Sequence, residues 1–309
     1  MPRTARPARR SRLLRCLAGL VALATLGGYL AAQYATGTWD PPRCTVRGPD
    51  GSGDGARTHE VTLEQAGNAA TISAVGTTRG LPERAVTIAL ATALQESTLR
   101  NLPYGDRDSL GLFQQRPSQG WGSERQIMDP VYSAGKFYEK LAEVPGYARL
   151  PLTVAAQRVQ RSAFPLAYAR HEPDAALLSA ALTGRRPAAL DCTPSTAAAA
   201  GPGDADRVRA ELVRAFGREV LPAARAAGSA AAGAVSVPVP AEAEARAKSG
   251  TSVRRGWELA HWAVARADAL RIERVSYADR VWDAASGWRT ERTKDEEPGT
   301  AAVGIRLAQ

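Results

Sequence analysis

The chain has 309 residues, 44% of them hydrophobic and only 6% aromatic, with a formal net charge of +9. Arg3, Arg6, Arg9, Arg10, Arg12 and Arg15 precede any acidic residue and supply six of those nine charges, leaving +3 on the rest. That placement excludes nucleic-acid binding as the meaning of the basic balance, and the length leaves room for two domains.

Five of these arginines form a basic tail, residues 1–12, and Arg15 sits at the cytoplasmic edge of the apolar run that follows at 13–34, made mostly of Leu, Ala, Val and Gly. A run of about 20 such residues is long enough to span a bilayer. The arginines would hold the N-terminus in the cytoplasm, and Tyr29, Tyr34 and Trp39 fall where an outer aromatic belt would lie. Two readings follow: an uncleaved signal anchor with everything after it on the outer side, or a signal peptide whose removal releases a secreted protein. No small-x-small site follows the apolar run, which favours the anchor. Residues 35–58, with Gly48 through Gly55 rich in Gly, Asp and Ser, form a flexible spacer.

Thr62-Leu63-Glu64-Gln65 is a capping box that opens a helix to about Val75. A second helix runs from Pro82 to Ser97. After Ala85 it is small or apolar at nearly every position, so it should be buried on all sides. Glu96 lies at its end, on one stripe with Ala85, Ala89 and Thr92. A carboxyl there has its charged form disfavoured, the state a general acid needs at neutral pH. A surface glutamate on a frayed last turn is the plainer reading. A Gly-rich loop follows at 103–123, then helices near 129–143, 151–162 and 172–183. No strand is expected in 60–190. Residues 193–252 form an Ala/Pro-rich linker with one helix, 204–220, capped by Asp204 and carrying Val208, Leu212 and Phe216 on one stripe. The close, 253–309, is a small α-β-β domain with a helix at 255–270 and strands at 274–282 and 301–307. Its aromatics are most simply core filling. The predicted fold class is thus mainly α, with a small α+β domain behind.

Glu96-Ser97 at the end of a buried helix, followed by Gly111-Leu112-Phe113-Gln114, resembles the signature of soluble lytic transglycosylases and goose-type lysozymes. Pro117 and the Met128-to-Tyr138 segment extend the likeness, which covers about 60–175. The stretch from Tyr104 to Gly122 looks like an actinobacterial, membrane-anchored variant. The resemblance implies a lysozyme-like domain at 59–192 and peptidoglycan glycan strands as the partner. Glu96 would be the catalytic acid on the β-1,4 bond between N-acetylmuramic acid and N-acetylglucosamine, and no cofactor would be needed. Gly111, Leu112, Phe113 and Gln114 would floor the sugar groove, with Ser97 and Gln115 beside them. The chain departs from the family at 156–168, where an Asn-x-Gly motif is missing. Gln160, Ser162 or Tyr168 is left to position the acid. The departure opens an alternative: a non-catalytic peptidoglycan-binding or envelope scaffold protein.

Asp106 and Asp108 are either a second carboxylate for hydrolysis or ordinary turn residues. Trp121 is either a sugar-stacking residue or a core residue. Cys44 and Cys192 flank the domain and, outside the membrane, either form a disulfide or remain free thiols. His59, His171 and His261 are scattered, so no metal site is expected. The sequence names no protein partner beyond the membrane and the wall.

Overall fold

A computed structural model describes residues 8–35, 42–49, 57–162, 164, 166–193, 201–222, 233–239, 251–291 and 299–309. Met1–Pro41 and Pro42–Gln309 are separate compact units. The first contains α1, Ala8–Ala35, a helix of 28 residues. Leu17, Leu20, Val21, Leu23 and Leu26 are exposed on it. Among the described residues, no helix is long and apolar enough to cross a membrane, so the span expected at 13–34 is not found. Residues 1–7, Trp39 and the side chain of Tyr34 lie outside the described residues.

The second unit is built around two sequential helices, α2 (Leu63–Thr78) and α3 (Glu83–Ser97). Thr62 Oγ1 accepts from Gln65 N at 3.2 Å and Gln65 Oε1 accepts from Thr62 N at 2.7 Å, so the expected capping box is formed. Every residue from Ala66 to Gly76 and from Ala85 to Leu94 is buried. A helix that is small and apolar all round belongs in the centre. Around the pair stand α4 (Glu124–Ile127), α5 (Pro130–Ala142), α6 (Leu152–Gln160) and α7 (Glu172–Leu182). Asp129 Oδ1 caps α5, accepting from Val131 N at 2.9 Å, and Pro130 takes the first helical position, where a missing N–H costs nothing.

The domain is not free of strands. β1 (Arg43–Arg47) lies between β2 (Thr58–Thr62) and β3 (Leu190–Thr193), antiparallel to both. β1 lies inside 35–58, so that segment is not a flexible spacer throughout: pairing on both sides fixes Arg43–Arg47, with Cys44 and Val46 buried. Cys44 and Cys192 face each other across β1 and β3 and form the expected disulfide.

The C-terminal part falls in the same compact unit as the helices, Pro42–Gln309. After α8 (Ala205–Phe216), β4 (Ala234–Pro238) lies inside the expected linker and pairs with β8 (Gly299–Leu307). β4 is an edge strand, which is where a proline such as Pro238 is tolerated. The strand expected at 274–282 is a hairpin of β5 (Ile272–Ala278) and β6 (Arg280–Asp283), with Ala278 turning at φ 54°. β7 (Gly287–Thr290) completes the sheet order β4-β8-β5-β6-β7. The helix α9 (Thr251–Ala265), continued by α10 (Ala267–Leu270), packs on this sheet and also on α2 and α7.

Polar atoms of the C-terminal rings explain the merger, because a buried N–H needs a partner and finds it in the neighbouring layer. Trp282 Nε1 donates to Asp191 Oδ1 at 2.9 Å and Trp288 Nε1 to the Leu190 carbonyl at 2.8 Å. Trp257, Trp262, Tyr277 and Trp282 are buried, as core filling requires. Val208, Leu212 and Phe216 are buried on α8 as expected; that helix stops at Phe216, before Gly217. With about 54% helix and 19% strand in two small sheets among the described residues, the protein is mixed α+β rather than mainly α.

Candidate active site

Glu96 occupies the last turn of α3, and the chain turns sharply after it. Thr98 and Leu99 both adopt left-handed φ, 54° and 57°. A β-branched residue in that region is strained by about 1–2 kcal/mol. The turn is held by Thr98 N to Leu94 O at 3.1 Å and Leu99 N to Ala93 O at 3.0 Å. From α2, Gln65 Nε2 donates to Thr98 O at 2.9 Å and Asn68 Nδ2 to Leu99 O at 2.8 Å. The strain is therefore over-determined by its surroundings, as it is at many functional sites.

Ser97 ties this helix end to the 111–114 loop: its Oγ donates to the Leu112 carbonyl at 2.7 Å. Gly111 turns at φ 76°, and a Cβ there would meet the Ile127 carbonyl at 2.8 Å. Leu112 and Phe113 are wholly buried, and Phe113 stacks on Phe137 with centroids 4.7 Å apart. Gln115 is buried too, donating from Nε2 to the Ser133 carbonyl at 3.0 Å. Ser97, Gly111, Leu112, Phe113 and Gln115 thus lie beneath the expected groove floor rather than on it. Leu110 and Gln115 close this short loop by exchanging two backbone hydrogen bonds of 2.9 Å, and the core side chains it buries hold it in place. Only Gln114 from this loop reaches the cleft.

The cleft has a volume of about 790 Å³ and includes Glu96 in its wall. Tyr168, wholly buried, donates from Oη to Glu96 Oε1 at 2.6 Å. Tyr168 belongs to the 3-10 turn Ala167–His171, which Arg170 fastens to α3 by donating to Gln95 Oε1 at 3.0 Å. Burial raises the Glu96 pKa above 4.5, while hydrogen bonds from Tyr168 and Gln160 pull it part of the way back. The Tyr168 phenol is pushed far above 10, first by burial and then by the Glu96 charge, so it remains a donor. Gln160 also donates from Nε2 to the Phe113 carbonyl at 2.7 Å, linking the end of α6 to the buried loop. Ser162 lines the same cleft, its Oγ accepting from Phe164 N at 3.1 Å. The positioning left open by the sequence thus falls to Tyr168, with Gln160 second.

The two aspartates part company. Asp108 accepts from Arg116 Nε at 2.7 Å and from Ser118 N at 2.8 Å, and these bonds hold its pKa far below 3.8. It organises the turn Pro117–Gln119 and does not line the cleft. Asp106 is exposed and does line it. Trp121 also faces the cleft while packing partly on the core, with the Lys140 ammonium 4.8 Å from its ring centre.

Sequence reading missed Phe164, which lines the cleft and is 71% exposed. Also missed were the cleft-lining Arg107, Lys140, Arg158 and Arg161. Among the described residues, no group of three or more His, Cys, Asp or Glu is placed to hold a metal. Comparison with protein-family models and with characterised proteins gives no match.

Proposed function

We propose that this protein cleaves peptidoglycan glycan strands, in the manner of a lytic transglycosylase, with Glu96 as the single acid and base. The observation that carries the reading is a half-buried carboxyl with a raised pKa, facing a long cleft and held on one oxygen by a tyrosine. Protonated Glu96 gives its proton to the glycosidic oxygen as the C1–O bond breaks. The resulting carboxylate takes the proton of the muramic acid C6 hydroxyl, whose oxygen attacks C1 and closes a 1,6-anhydro ring. No water and no cofactor enter the step. Tyr168 and Gln160 stabilise the carboxylate that forms between the two transfers. Trp121 and Phe164 offer apolar faces to the sugar rings.

Water attack needs a second, free carboxylate. Asp108 is engaged by Arg116 and Ser118, which leaves Asp106 for that role. The membrane belongs to the same proposal: six arginines before and at the edge of an apolar run support an N-terminal anchor with the cleft on the wall side.

Digestion of purified peptidoglycan, read by mass spectrometry beside Glu96→Gln, tests the reading. Anhydro-muropeptides from the native chain alone are expected, whereas reducing ends would indicate hydrolysis. Wall binding without products from either chain would replace the enzyme by a scaffold, the reading that the missing Asn-x-Gly motif favours.

A further inference from the structure

The cleft holds more positive charge than its own anions balance. Arg107, Arg116, Lys140, Arg158 and Arg161 line it, against Glu96, Asp106 and Glu143. Arg116 is neutralised by Asp108 at 2.7 Å. The other four have no ion-pair partner among the described residues. Arg107, Arg158 and Arg161 are exposed and Lys140 is half-buried, so all four can meet a ligand.

These cations come from separate parts of the chain. Arg107 sits in the loop after α3, at φ 57°. Lys140 lies in the last turn of α5. Arg158 lies in the last turn of α6, and Arg161 ends that helix at φ 52°. Their convergence is thus a product of the fold and not of one basic run. Like charges gathered in a groove repel one another and gain nothing from a neutral ligand. An uncharged polysaccharide would need only Trp121, Phe164 and the polar side chains.

We propose that the cleft takes glycan strands that still bear anionic substituents, and that Arg107, Lys140, Arg158 and Arg161 hold those anions while the sugar chain runs past Glu96. The inference rests on the glycan-cleaving reading. Carboxylates of peptide stems and phosphodiesters of an attached polymer share the required chemistry. A free polyphosphate chain such as nucleic acid is disfavoured, since it would run past the carboxylates of Asp106 and Glu143 in the same cleft.

The test uses the full chain carrying Glu96→Gln, so that ligands bind without turnover. It is titrated with glycan strands bearing peptide stems, with the same strands after amidase removal of the stems, with strands bearing a phosphodiester polymer, with chitohexaose and with single-stranded DNA. A substituted strand should bind roughly tenfold more tightly than chitohexaose, an advantage that shrinks as salt rises. Whichever substituted strand shows the advantage identifies the anion. The added double substitution Arg158→Ala/Arg161→Ala, at exposed positions, should erase most of that difference. Equal affinity for all glycans would overturn the inference and leave cleavage by the native chain standing. Tightest binding to DNA would overturn it as well. Binding to no glycan at all would remove both the inference and the reading beneath it.

Discussion

Tyr168 Oη and Glu96 Oε1 meet at 2.6 Å although 72 positions separate the two residues in sequence. The bond stabilises the charged form of a carboxyl whose pKa burial raises.

Tyr168→Phe removes a donor to the carboxylate, so the Glu96 pKa moves further up. The first step needs protonated Glu96, and the alkaline limb of the pH–rate profile should therefore shift to higher pH. The maximum rate should fall roughly 10- to 100-fold because the carboxyl loses its fixed orientation. The profile of muropeptide release for both chains decides the matter. A lower rate with an unmoved limb would mean that Tyr168 only supports the fold.

Ser97→Ala leaves the Leu112 carbonyl without its 2.7 Å partner. An unsatisfied buried acceptor costs about 1–3 kcal/mol. Denaturant unfolding should show that loss. Turnover should drop as well, because the loop carrying Gln114 is no longer pinned to the end of α3.

His261 is wholly buried: Nδ1 donates to the Ala181 carbonyl at 2.8 Å and Nε2 accepts from Ala189 N at 3.1 Å. Both bonds use the neutral ring, and burial lowers its pKa from 6.5 to about 4. In the unfolded chain the ring takes up a proton near 6.5. The stability it contributes is therefore complete above 6.5 and is lost as pH falls from there towards 4, by roughly 3 kcal/mol. Unfolding free energies measured across that interval should fall less steeply for His261→Gln than for the native chain.

The Cys44–Cys192 bridge spans 148 positions. Closing so long a loop removes about 5 kcal/mol of unfolded-state entropy in the chain-entropy model. Reduction, or Cys44→Ala with Cys192→Ala, should lower the melting temperature sharply, since β1 and β3 lose their covalent tie. An unchanged melting temperature would show that the strand hydrogen bonds suffice.

Local chemistry made part of this molecule legible in advance. The Thr62/Gln65 capping box, the Asp204 cap with its Val208–Leu212–Phe216 stripe, and the burial of α3 each depend on residues within a few turns of one another. The hairpin at 278–280 was not legible, because Ala278 and Asp279 carry no Asn-Gly type turn signal. Nor was β4, because its pairing with β8 joins segments more than 60 residues apart, as its register shows.

By itself the sequence determined that a carboxyl would sit at the end of a helix too apolar to be anywhere but inside, since a 15-residue helix buries whatever its periodicity makes apolar. It also supplied the two cysteines that close the domain. Tertiary structure alone decided which oxygen of Glu96 is held and by whom, which loop residues lie under the cleft and which in it, and that three arginines and a lysine from three parts of the chain converge there. Those outcomes depend on distances between residues far apart in the chain, and no local pattern of side chains encodes them.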